Sequence, residues 1–498
     1  MTAYDEIIYP GRVYPQTHPD NLATLATLFG MAPAPPERCR VLEVACGDAG
    51  NLIPMAYGLP DSEFVGFDLA ERPIDSGKHA AARLDLANLT LHHLDLADFP
   101  ADAGRFDYII AHGLYSWIPA SAREGLLALI AAHLAPQGVA FVSYNAYPGG
   151  YVRRMLWEML KFHTDHLEDP RSRITEAQAL AGLLTRGRTA HDDYTRLLDS
   201  QASRLSDREA SFFFHDDLAD INEPFYFHQF IERTAPHRLQ YLAEAEFKTM
   251  SYGGITLEAA RVLETMDPIT REQYLDFVRC RRFRQTLLCH ADVELDRRLT
   301  PERIEGLLLG NRIRVQLYEP NATAASTPGL EAAAGEGAPD DEKRLVQATL
   351  DVLTEVSPRR LRLDEVVALV RQRAAGEILA RRGEKLLKQL VFGAARAGAV
   401  ELHSHAPRLA TVAGERPLAS AVARQQLESG TVLSTLYHDT VKLDDKVGPR
   451  LLPLLDGAHT RADLIAALTD LDGDDASARA GTLERHLELL GKLALLVA

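Results

Sequence analysis

Five short apolar runs alternate with stretches of helical spacing over the first 150 residues of the chain: Val41-Leu-Glu-Val-Ala45, Glu63-Phe-Val-Gly-Phe-Asp68, Leu91-His-His-Leu-Asp-Leu96, Phe106-Asp-Tyr-Ile-Ile-Ala-His-Gly113 and Gly138-Val-Ala-Phe-Val-Ser-Tyr144. Short runs that are nearly continuous in apolar residues suit strands buried on both faces. Ala120 to Leu134 carries its apolar residues at helical spacing. Strands alternating with helices at this rhythm predict an α/β fold, a doubly wound Rossmann-like sheet with its ligand at the carboxyl ends of the strands.

The turn after the first strand, Cys46-Gly-Asp-Ala-Gly-Asn51, sharpens that picture. Gly47 and Gly50 let the backbone come close to a ligand, and a helix beginning near Asn51 aims its unsatisfied N–H groups at a carboxylate or phosphate. A dinucleotide-binding turn reads G-x-G-x-x-G and has no acid inside its first strand. Here Glu43 precedes the turn and Asp68 closes the next strand, which points to a different nucleoside cofactor.

That arrangement resembles the first motif of the class I S-adenosylmethionine-dependent methyltransferases, with Ala45 and Ala49 in place of the first and third glycines. The resemblance implies S-adenosyl-L-methionine as cofactor. It places Glu43, Cys46, Gly47, Asp48, Gly50 and Asn51 around the cofactor, with Asp68 and Leu69 at the ribose, Asp95 and Leu96 at the adenine, and His112 nearby. The Asn-Pro-Pro-Tyr signature of one amino-group subclass is absent; His112-Gly-Leu-Tyr115 stands in its place.

At 498 residues the chain is too long for one such domain. The expected domains are a cofactor-binding core (1–150), an inserted helical cap or dimer-forming region (151–224), a region completing the core (225–319), a linker (320–342) and a mostly helical C-terminal domain (343–498). In the cap, Met155, Met159 and Phe162 share one helical face. The core resumes through a helix from Pro236 to about Glu246 and a strand near Phe247 to Met250, with Thr286 to His290 as a candidate final strand. Pro320 to Glu342 has five acids and no basic residue and reads as disordered. Helices at 343–356, 364–373 and 384–397 followed by a strand at 399–403 suggest a winged-helix arrangement.

A net charge of −16 opposes general nucleic-acid binding and favours a basic protein partner. The four cysteines form no CxxC pair and look like reduced thiols, and no run spans a bilayer, so a cytoplasmic protein that does not insert into membranes is expected. The adjacent His92 and His93 point to opposite faces of a strand, and no metal site is expected.

Tyr14-Pro-Gln-Thr-His-Pro19, His112 to Pro119, Ser143 to Gly149, Phe214 to Pro224 and Glu272 to Thr286 together look like methyltransferases that carry a methyltransferase regulatory domain. That family includes rickettsial-type protein lysine methyltransferases of outer-membrane proteins. The resemblance implies a protein or peptide substrate and a homodimer. On this reading Tyr115, Trp117, Tyr144 and Asn145 form the acceptor site, and His18 belongs to a lid or acts as a general base. Two alternatives stay open: methylation of a small molecule or of a peptide hydroxyl or carboxylate, and an inactive core that senses the cofactor.

Overall fold

The computed structural model describes residues 3–7, 9–187, 189–206, 209–311, 334–335, 337–469 and 476–498. Seven strands form the main sheet: β1 (Arg40–Val44), β2 (Glu63–Asp68), β3 (Leu89–His93), β4 (Phe106–Ala111), β5 (Leu134–Asn145), β6 (Leu239–Glu244) and β7 (Phe283–His290), in the order β3-β2-β1-β4-β5-β7-β6. β1 to β5 are parallel, and β7 runs antiparallel to both β5 and β6. The two faces separate by the alternation of each strand. Val41, Phe64, Tyr108, Ile110 and Phe141 enter one core, and Leu42, Val44, Phe67, Ile109 and Val142 enter the other.

Two expected elements differ. The helix expected from Pro236 to Glu246 is a 3-10 turn, Ala235–His237, followed by β6, and the strand expected at Phe247–Met250 is also a 3-10 turn. Arg238 adopts φ +57°, which stops the turn, and the following Leu-Gln-Tyr-Leu-Ala-Glu run is buried nearly throughout. So short an apolar run does not distinguish helix from strand by its period.

The inserted region contains helices Gly150–Thr164, Pro170–Arg186, Asp193–Ser206 and Ala210–Asp217. Leu156 and Leu160 pack with Ile174, Ala177, Phe213 and Phe214. Of the expected face, Phe162 is 90% exposed, because burial falls on the Leu156–Leu160 stripe beside it.

Most of the expected linker lies outside the described residues, and its last three residues begin the helix Asp340–Val356. Strand β8 (Leu308–Asn311), ahead of the linker, pairs with β9 (Leu361–Arg362) and β10 (Val400–His403) beyond it. The helices Leu363–Arg371 and Glu384–Ala397 complete this unit, whose apolar residues share one continuous core with the main sheet. Buried Asp20 clamps it to the first long helix, Pro19–Leu28. Its carboxylate accepts from Arg360 (2.9 Å), His403 Nδ1 (2.8 Å) and the N–H groups of Ser404 and His405 (2.7 and 2.9 Å). Residues 419–496 have a separate core. Among the described residues no helix is long and apolar enough to cross a membrane.

The far edge of the main sheet is held by charge. Fully buried Arg284 on β7 meets Asp276 (2.8 Å), Glu244 (2.6 Å) and Glu272 (3.1 Å), and its guanidinium lies 3.9 Å from the centre of the Phe227 ring. Arg281 also reaches Glu244 (3.4 Å) and Asp276 (2.9 Å), so removing Arg284 leaves three buried acids to share one cation and takes from Glu272 its ion pair. Arg284→Met should therefore lower the unfolding free energy by about 3–5 kcal/mol in urea denaturation. A loss below about 1 kcal/mol would show that Arg281 alone compensates the three acids.

Candidate functional site

A cavity of about 570 Å³ opens at the carboxyl ends of β1, β2, β3 and β4. Each of the eleven residues expected around a cofactor lines it: Glu43, Cys46, Gly47, Asp48, Gly50, Asn51, Asp68, Leu69, Asp95, Leu96 and His112. Tyr9, Gly11, Arg12 and Tyr14 from the N-terminal segment, Trp117 and Ile118 beyond β4, and Asp216 from the inserted helices close its walls.

The turn after β1 is organised by two carboxylates. Asp68 accepts from the N–H of Gly47 (2.9 Å) and of Ala70 (2.8 Å), so it ties the ends of β1 and β2 together. Each of its oxygens keeps a second lone pair for a ligand hydroxyl. Asp48 accepts from Gly50 N–H (2.9 Å) and from Gly11 N–H (3.2 Å), which draws the N-terminal segment over the turn. Burial raises the pKa of both carboxyls from its ordinary value.

The two glycines play different parts. Gly47 has φ +56°, and a Cβ there would meet nothing within 4 Å, so the turn exposes open space at that point. Gly50 instead permits a backbone contact, since a Cβ on it would lie 2.7 Å from Gly11 Cα. Ala45 and Ala49 also hold left-handed conformations, φ +57° and +59°. The backbone of a glycine motif thus survives with alanines in it, at a cost of roughly 1–2 kcal/mol each.

Asn51 precedes the helix Leu52–Gly58 but does not cap it. Its Nδ2 donates to Glu43 Oε1 (2.9 Å) and Thr17 Oγ1 (3.0 Å), while its Oδ1 accepts from Tyr14 N–H (3.0 Å) and His438 Nε2 (2.8 Å). Glu43 is left with Oε2 buried and without a partner. Burial, aided by the charges of Asp48 and Asp68, pushes the Glu43 carboxyl up to about 8. A buried carboxyl oxygen without a partner, in a cavity lined also by Asp48, Asp68, Asp95 and Asp216, fits a cationic nucleoside with hydroxyl and amino donors.

Aromatic rings form the opposite wall. His112 stacks on Tyr14 (ring centres 3.8 Å, planes 23° apart) and lies 5.8 Å from Phe141. Burial lowers His112 to about 4 and raises Tyr14 to about 12, so both rings are neutral at physiological pH. The Arg153 guanidinium sits 5.8 Å from the Trp117 ring centre and bonds Asp217 (3.1 Å).

Of the five residues expected at the acceptor, Trp117 alone lines this cavity. Tyr115 and Tyr144 are buried in an aromatic cluster with Phe225 and Phe230, with ring centres 4.3–6.4 Å apart. They face into the core because the helix Phe227–Thr234 packs over this end of the sheet. Asn145 donates from Nδ2 to Asn222 (2.9 Å) and from its N–H to Ser116 Oγ (2.8 Å), so it braces the segment entering that helix. His18 accepts from Asp20 N–H at the start of the helix Pro19–Leu28, lines a separate cavity of about 280 Å³, and is lowered by burial to about 3. Residues not singled out beforehand are Tyr9, Arg12, Tyr14, Asp216 and His438. Tyr14 and Asp216 lie inside segments whose wording marked the family, which was the available signal.

Three family models match the chain: a methyltransferase domain over residues 41–138, a predicted methyltransferase regulatory domain over 209–290, and a PKMT C-terminal winged helix domain over 415–478. The last match falls downstream of the helices at 340–397 that suggested a winged helix. An uncharacterized protein of Rickettsia prowazekii is 36% identical over 304 residues, 61% of this chain and 55% of the relative, so the chain spans about half that relative's length. A second protein of the same organism is 32% identical over 232 residues, 46% of this chain and 93% of the relative. The structure of PKMT2 from Rickettsia typhi in complex with AdoHcy is similar with a TM-score of 0.83 and 25% identity, covering 98% of this chain and 100% of that one.

Glu43 gives the site a testable pH dependence. Its proton, held below about pH 8, must leave for the carboxylate to face a cationic ligand. Affinity for S-adenosylmethionine should therefore rise on the order of tenfold from pH 7 to pH 9, and Glu43→Gln should flatten the curve, as read by calorimetry. The same slope in both proteins would remove Glu43 from the account.

Proposed function

We propose that this chain, which belongs to the class I S-adenosylmethionine-dependent methyltransferases of the PKMT type, transfers methyl groups to lysine side chains of a polypeptide. The observation that carries the lysine reading is the likeness to Rickettsia typhi PKMT2 over nearly the whole of both chains. The cavity lining supports it independently.

The cofactor supplies a methyl group on a positively charged sulfur. Glu43, Asp68 and Asp95 line the cavity where its polar groups would be held, and Gly47 leaves room for it. The remaining task is to align an uncharged amine and keep water away. A lysine with its ordinary pKa near 10.4 needs about 4.6 kcal/mol to present a neutral amine at pH 7. Burial between Tyr9, Tyr14 and Trp117 reduces that cost, because these rings accommodate the alkyl stem and exclude water. Asp216, from the inserted helices, supplies a carboxylate that attracts the approaching ammonium.

The resemblance nominates outer-membrane proteins as targets met in the cytoplasm before export. It also suggests a homodimer, for which exposed Phe162 and Leu183 on the inserted helices offer an apolar surface. Free Cys39, Cys46 and Cys289, all buried, accord with a reducing compartment.

The test is incubation of the protein with labelled S-adenosylmethionine and an outer-membrane protein fraction, followed by peptide mass spectrometry. Lysines carrying one, two or three added methyl groups are expected. Trp117→Ala should lower kcat/KM for the polypeptide by about 10- to 100-fold with little change in cofactor affinity, while Tyr115→Phe should leave transfer near that of the parent. Label confined to metabolites, or to base-labile esters, would reject lysine as the acceptor.

A further inference from the structure

The C-terminal module leans on the two helices that follow β1 and β2. Ala421 N–H donates to the Tyr57 hydroxyl (3.3 Å), Gln425 Nε2 to the Ala80 carbonyl (3.3 Å), and Arg83 pairs with Glu428 (2.6 Å). These contacts are peripheral to the cavity. A fourth reaches it: the tip of the hairpin between β11 (Val432–Ser434) and β12 (Thr440–Lys442) carries His438, whose Nε2 lies 2.8 Å from Asn51 Oδ1.

The tip is held firmly. Leu436 N–H donates to the Ala494 carbonyl (2.9 Å) and Thr435 N–H to the Asp439 carbonyl (2.8 Å). The Tyr437 hydroxyl bonds the Pro358 carbonyl, and the Arg360 guanidinium covers the Tyr437 ring at 4.2 Å. His438 itself is buried and adopts φ +57°, a conformation uncommon for a residue other than glycine.

Deep burial keeps the imidazole neutral, with a single N–H. Asn51 Oδ1 already accepts from a backbone N–H, so it meets His438 as an acceptor and the imidazole proton sits on Nε2. Nδ1 is left as a buried acceptor without a partner. Reversing the Asn51 amide would set its NH₂ against the Tyr14 N–H, force the His438 proton from Nε2 to Nδ1, and withdraw the hydrogen bond from Glu43 Oε1. The orientation of Glu43, whose second oxygen waits in the cavity, is thereby linked to a residue about 390 positions downstream.

We propose that His438 is a positioning residue for the cofactor site, and that the C-terminal module completes this site by holding Asn51 in the orientation that engages Glu43. The inference rests on the cofactor assignment and is independent of lysine as the acceptor. Linkage makes the coupling reciprocal: bound cofactor holds the module against the core as strongly as the module favours the cofactor.

The test compares His438→Asn with His438→Gln in the full chain, titrating AdoHcy by calorimetry and checking the fold by thermal unfolding. Asparagine tolerates the left-handed backbone but is too short to reach Asn51, whereas the glutamine amide nitrogen takes the place of Nε2. His438→Asn should bind about tenfold more weakly, and His438→Gln within about threefold of the parent. Equal affinities in all three folded proteins, or equal losses in both variants, would overturn the coupling while leaving the cofactor assignment intact. Failure of the parent chain to bind AdoHcy would overturn both.

Discussion

One buried amide holds three other parts of this chain in register. Asn51 donates to β1 through Glu43 and to the N-terminal segment through Thr17, and it accepts from Tyr14 N–H and from His438 in the C-terminal module. A buried amide has two donor and two acceptor positions, and all four are used here. Any shift of one segment leaves a polar group stranded in the core, a penalty of about 1–3 kcal/mol for each group. The position of the N-terminal wall, and of Tyr14 against His112, follows from that constraint.

The same economy appears elsewhere in the fold. Asp20 gathers Arg360, His403 and two backbone N–H groups, and so secures the unit around β8, β9 and β10 to the helix Pro19–Leu28. Arg284 gathers three acids and fixes the β7–β6 edge, over which the helix Phe227–Thr234 lies. Between these anchors the cavity is assembled from segments distant in sequence. Glu43, Asp68 and Asp95 come from the sheet and its strand ends, Asp216 from the inserted helices, and Tyr9, Tyr14 and Trp117 from the N-terminal segment and the loop after β4. Such a division suits a reaction that needs charge recognition for the nucleoside and a dry apolar wall for the acceptor.

The sheet was legible because its parallel strands are nearly continuous apolar runs, and the gathering of Glu43, Asp68 and Asp95 in one cavity was legible because Glu43 lies inside the first run, Asp68 closes the second and Asp95 stands at the end of the third. The placement of Tyr115, Tyr144 and Asn145 was not. Tyr115, Tyr144 and Asn145 occupy positions at strand ends that sequence spacing cannot separate from cavity positions, and only the packing of Phe225 and Phe230 turns them inward. Asn51 reads as a helix cap in sequence, since an asparagine before an apolar run commonly serves that way. Its cross-chain role includes a contact 387 residues away, and the pairs made by Asp20 span 340 to 385. The β8 strand was hidden for the same reason: its partners lie beyond the linker.

The most direct measurement of the central claim is the affinity of Asn51→Leu for AdoHcy, by calorimetry, on protein whose circular dichroism matches that of the parent. Leucine keeps most of the volume and removes all four hydrogen bonds. A loss of about 100-fold is expected, from the freed N-terminal segment and the misplaced Glu43. An affinity within about twofold of the parent, in a folded protein, would contradict it.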